Sequence, residues 1–90
     1  MPKYVIERDI PGAGNMSAEE LSGVSAKSCS VLDKLGGDIQ WIHSYVTEDK
    51  IYCIYTAPNA ELIEKHARDS GFPANNISEV KAMIDPTRAG

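Results

Sequence analysis

Two stretches with helical apolar spacing are each bracketed by stretches that alternate, and this order constrains the chain more than any other feature. Lys3–Asp9, KYVIERD, is β-branched and alternating, and Pro11-Gly12 closes it. Ser17 and Glu20 then form an S-x-x-E capping box. It predicts a helix over Ala18–Leu35, striped by Leu21, Val24, Ser28, Val31, Leu32 and Leu35 and stopped by Gly36-Gly37. Ile39–Thr47 and Lys50–Ala57 read as two strands joined at Glu48-Asp49. Pro58-Asn59 opens a second helix, with Asn59 as N-cap, an inner side of Leu62, Ile63, His66, Ala67 and Ser70, and Gly71 as its end. A last strand is expected over Ile77–Ile84, before Asp85-Pro86 and a polar tail from about residue 86.

The order β-α-β-β-α-β is the split βαβ arrangement of an α+β, ferredoxin-like domain. It predicts a four-stranded antiparallel sheet with both helices on one face. The other face is left uncovered. In a chain of 90 residues the core is thin, because only about 60–65% of the unfolded surface can be buried. The uncovered face is therefore expected to meet a second copy of the chain, giving a homodimer of the dimeric α/β-barrel type.

Which residues lie on that face depends on the hairpin register. An even-numbered loop at Glu48-Asp49 pairs Val46 with Ile51, Ser44 with Cys53 and Ile42 with Tyr55. It also pairs Tyr45 with Tyr52, His43 with Ile54 and Trp41 with Thr56. The first set, more aliphatic and with small residues, suits packing beneath the helices. The second set, Trp41, His43, Tyr45, Tyr52, Ile54 and Thr56, is then expected on the bare face. A loop of odd length would exchange the two faces. On the first strand, alternation does not decide between Tyr4, Ile6, Arg8 and Lys3, Val5, Glu7. If Glu7 points to the bare face, it is expected to neighbour His43.

Charge and motifs narrow the function. There are 13 acidic and 9 basic residues, a net charge of −4, which argues against non-specific binding to nucleic acid or anionic membranes. No apolar run approaches the ~18 residues of a membrane span. The N-terminus lacks an apolar signal core, so a cytoplasmic location is expected, with Cys29 and Cys53 reduced. Both cysteines are expected to be structural and buried. No GxGxxG, phosphate-binding loop or HExxH is present.

His43 is the central candidate: a metal ligand through neutral imidazole, an acid or base, or a hydrogen-bonded interface histidine. Glu7 is a second candidate ligand or a solvated strand charge. His66 is a third, or a packed histidine on the second helix; sharing an ion with His43 would require both on one side of the sheet. Trp41, Tyr45 and Tyr52 could line a small-ligand pocket or serve as interface aromatics.

The runs YVIERDIPGAG, QWIHSYVTEDKIYCIY and EKHARDSGFPANNISEV, with the terminal IDP, resemble a small bacterial domain family of unknown function. One branch of that family is described as nickel-binding and nickel-responsive. The similarity covers about residues 2–87. The resemblance implies a ferredoxin-like, dimeric fold and nickel or another divalent transition metal as ligand. Three functional readings follow: a non-enzymatic homodimeric metal-binding protein, favoured; a dimeric barrel enzyme acting on a small organic substrate with His43 as acid or base; and an interaction module without a small ligand.

Overall fold

In a computed structural model, which describes residues 1–89, the strands are β1 (Lys3–Asp9), β2 (Gln40–Val46), β3 (Lys50–Thr56) and β4 (Asn76–Glu79). The helices are α1 (Ala18–Lys34) and α2 (Ala60–Ser70). The sheet order is β2-β3-β1-β4, every neighbouring pair antiparallel. This is the ferredoxin-like arrangement that the periodicities predict. The sheet is open, with β2 and β4 as edges, so within the chain there is no α/β barrel.

Both helix starts are built from local chemistry. The Ser17 hydroxyl accepts from the Glu20 amide at 3.1 Å, and the Glu20 carboxylate accepts from the Ser17 amide at 3.0 Å. Those bonds hold the Glu20 carboxyl below its ordinary range. The Asn59 side chain accepts from the Leu62 amide at 3.0 Å. Gly71 ends α2 in the left-handed region at φ 76°, where a side chain would be strained. Gly14 is required for a different reason: a Cβ there would lie 3.0 Å from the Glu48 Cα and the Thr47 carbonyl. That close approach seats the 310 turn Ala13–Asn15 on the hairpin tip, where the Gly14 amide donates to the Glu48 carbonyl at 2.9 Å.

The core lies between helices and sheet. Tyr4, Ile6, Ile51, Cys53 and Tyr55 point from β1 and β3 towards Ile63 of α2, with Val31 of α1 also buried. The hairpin closes through Thr47 and Lys50 around a two-residue tip, and four expected pairs form: Val46–Ile51, Tyr45–Tyr52, Ser44–Cys53 and His43–Ile54.

The other two pairs do not form. A β-bulge at Ile42 shifts the register, so Trp41 pairs with Tyr55 and Gln40 with Thr56. One extra residue in a strand reverses the facing of everything beyond it. Trp41 therefore turns from the expected bare face to the helix side, half-buried against the core, and its indole N–H donates to the Ser44 hydroxyl at 2.9 Å. Ile42 takes the exposed bulge position.

Two further expectations are corrected. β4 stops at Glu79 instead of Ile84, because its partner runs out: the Val80 amide reaches the Lys3 carbonyl, and beyond it stands Pro2, whose nitrogen carries no hydrogen to donate. Met83 and Ile84 are left exposed in an irregular tail. Cys29 is exposed on α1, whereas Cys53 is buried as expected.

Candidate functional site

The uncovered face is built from alternate residues of the four strands. Across it, His43, Ile54, Val5 and Ser78 form one cross-strand row. Tyr45, Tyr52, Glu7 and Asn76 form the next, and Lys50 stands opposite Asp9. His43 is exposed on the edge strand β2. It meets Tyr45, two residues on, edge to face, with ring centroids 5.0 Å apart and planes at 74°. Tyr45 is 60% exposed, a large aromatic in water beside an available imidazole.

Glu7 does reach this face, but it does not neighbour His43. It lies in the adjacent row with β3 between the two strands, a separation of roughly 10 Å at the usual strand spacing. Its carboxylate is already engaged by the Lys50 ammonium, which also lies 3.4 Å from Asp9. The hydrogen bond it donates to Glu7 holds the Lys50 ammonium above the usual lysine range. Glu7 therefore acts in this chain as half of an ion pair.

His66 lies on the other side of the sheet, fully buried on the inner side of α2. Its Nε2 is 3.3 Å from the Ser28 hydroxyl, which is itself 3.2 Å from the Tyr55 hydroxyl. The imidazole and the Tyr55 ring lie 5.2 Å apart. Burial, reinforced by the Arg8 cation, pushes the His66 pKa down and keeps the ring neutral, while burial pushes the Tyr55 pKa up. Among the described residues the His66 Nδ1 has no hydrogen-bond partner. Histidine, serine and tyrosine here form a packed polar chain in the core.

The three residues considered as ligands, His43, Glu7 and His66, thus fall in three separate places, two on one face and one beneath the other. Among the described residues no group of three or more His, Cys, Asp or Glu side chains converges on a point. Of the three aromatics considered for a ligand pocket, Tyr45 and Tyr52 share the open face and Trp41 does not.

The helix side holds what sequence reasoning left undecided. Arg8 shares its face with Tyr4 and Ile6 and is 2% exposed. It lines a cavity of about 70 Å³ between α1 and the sheet, with Leu21, Val24, Val46, Ile51 and Phe72 among the apolar walls. The signal available was the alternation of Arg8 with two core residues.

No helix among the described residues is long and apolar enough to cross a membrane. No curated protein matches the sequence. The fold is similar to the crystal structure of SCO4226 from Streptomyces coelicolor A3(2), with a TM-score of 0.77 at 16% identity, over 91% of this chain and 99% of that one. At that identity the likeness speaks for the fold. The family model described as "Nickel responsive protein SCO4226-like" matches residues 4–80, from the second residue of β1 to just past β4. By that match, spanning most of its length, the chain belongs to the SCO4226-like family of nickel responsive proteins.

Proposed function

We propose that this chain is a small homodimeric binding protein for a divalent transition metal, nickel by its family's description, with His43 as the principal ligand. The observation that carries the reading is the position of His43: mid-strand, exposed, on the sheet face that no helix covers, with Tyr45 packed against its ring. Neutral imidazole suits nickel, copper and zinc. The donors of one chain do not fit a complete site, since Glu7 is held by Lys50 and His66 lies under the opposite face. In the proposed dimer a second copy packs face to face with the twofold axis running past His43, so that the two His43 rings meet across it. The same packing covers Tyr45, Tyr52, Ile54 and Val5, whose apolar area contributes on the order of 25 cal/mol per Å² buried.

Calorimetric titration of metal-free protein with nickel, run beside sedimentation equilibrium, tests both halves. The expected result is a dimer that binds one nickel per two chains, with binding lost in His43→Ala and retained in His66→Ala. Unchanged nickel affinity in His43→Ala removes His43 from the site, and a monomer at all concentrations removes the shared site.

A further inference from the structure

Among the described residues, Arg8 is the buried cation with an unpartnered side-chain nitrogen. Its Nη1 donates to the Pro73 carbonyl at 2.7 Å and its Nε to the Cys53 sulfur at 3.3 Å, a weak acceptor. Its Nη2 is buried without a hydrogen-bond partner among the described residues. None of the ion pairs among the described residues involves Arg8. The Phe72 ring, 5.8 Å from the guanidinium, offers a cation–π contact, but that ring also faces Lys27 at 5.6 Å. A guanidinium is always charged, and taking it out of water without a compensating charge is strongly unfavourable. The field of this one is felt beyond the cavity, since it helps to push the pKa of buried His66 down.

The surroundings define what would compensate it. The cavity that Arg8 lines has mostly apolar walls, aliphatic at Ile10, Leu21, Val24, Val46 and Ile51 and aromatic at Phe72, and its other polar groups are neutral, chiefly the hydroxyls of serines and Tyr55. Its volume of about 70 Å³ has room for roughly five water-sized groups. One cation calls for one negative charge. A planar carboxylate matches the guanidinium fork, and apolar walls around so small a volume call for a short hydrocarbon body. A phosphate, with more acceptors and more charge than a single Arg and a few hydroxyls can satisfy, fits this lining poorly.

We propose that the cavity between α1 and the sheet binds a short-chain aliphatic monocarboxylate, with its carboxylate on Arg8 and its hydrocarbon end against Leu21, Val24 and Ile51. The site lies on the opposite side of the sheet from His43 and is independent of the metal reading, so either can fail alone.

The test uses sodium propionate, with propionamide as the uncharged isostere and sodium chloride at equal ionic strength. Metal-free protein is heated with each, and methyl resonances of Val24, Val46 and Ile51 are followed by NMR at a temperature where the chain is folded. The expected result is a melting temperature that rises with propionate concentration as one-site linkage requires, with saturating methyl shifts. Propionamide and chloride are expected to produce neither, and Arg8→Met is expected to lose both responses. Methyl shifts of equal size with propionamide overturn the assignment of the carboxylate to Arg8. The absence of propionate-specific methyl shifts in the unmodified chain overturns the site altogether, whether or not Arg8→Met folds. Val24→Phe, which fills the cavity without touching the charge, is expected to abolish the propionate shifts; their persistence places the anion elsewhere and also overturns the proposal.

Discussion

The two cysteines report directly on which face of the sheet the helices cover. Cys53 is 6% exposed, with its sulfur accepting from the Arg8 Nε, whereas Cys29 is exposed on α1. Cys53 also lies between Tyr52 and Ile54, which point the opposite way. Protection of Cys53 by the helices therefore implies that the His43 row is on the bare face. Cys53 lines the cavity of about 70 Å³, which is too small for an aromatic disulfide, so that reagent reaches the thiol only when the chain opens. A small domain has a stability of at least about 5 kcal/mol, and each 1.4 kcal/mol is a decade in the open population, so labelling of Cys53 should be slowed on the order of 10³-fold. The assay is labelling by an aromatic disulfide, comparing Cys29→Ser, which reports Cys53 alone, with Cys53→Ser, which reports Cys29 alone. Protection by the helices of the same chain is independent of protein concentration, whereas protection by a second copy falls on dilution. If the two thiols react within about tenfold of each other, or if the protection of Cys53 dilutes away, then the face assignment is inverted and the proposed role of His43 falls with it.

Two other perturbations have outcomes set by the geometry. His66 is held neutral by burial and by Arg8, so its folded pKa lies below the value of about 6.5 that it has when unfolded. As pH drops below about 6.5 the unfolded chain takes up a proton that the folded chain refuses, and stability should fall by up to about 1.4 kcal/mol per pH unit down to the folded pKa. Urea titrations between pH 7.5 and 5 should show this fall in the unmodified chain and lose it in His66→Gln; a stability flat across that range contradicts the buried neutral ring. Asn59→Ala removes the side-chain acceptor for the Leu62 amide and should cost about 1 kcal/mol, or roughly 5 °C in Tm for a chain of this size, in a thermal melt followed by circular dichroism.

Much of the architecture was legible in local signals. The Ser17–Glu20 box and the Asn59 cap are satisfied within three residues, so no distant contact can easily overrule them. The two-residue tip at Glu48-Asp49 sets a register that holds for as long as the strands stay regular, and it places His43, Tyr45 and Tyr52 together. Reading failed where the outcome depends on a partner strand. The Ile42 bulge turned Trp41 inward, and β4 ended where β1 had no further amide to offer.

The sequence by itself determined the order of the elements, their caps and the hairpin pairing from Val46–Ile51 to His43–Ile54, because periodicity, capping and turn length act over a few residues. Only the tertiary structure decided that Glu7 belongs to Lys50, that His43 and His66 are on opposite sides of the sheet, and that a guanidinium is enclosed without a counter-charge beside an apolar cavity. These are consequences of bringing together residues as much as 65 positions apart, as Arg8 and Pro73 are. Alternation along a strand says which residues share a face, but burial and partner are properties of what the rest of the chain lays over that face.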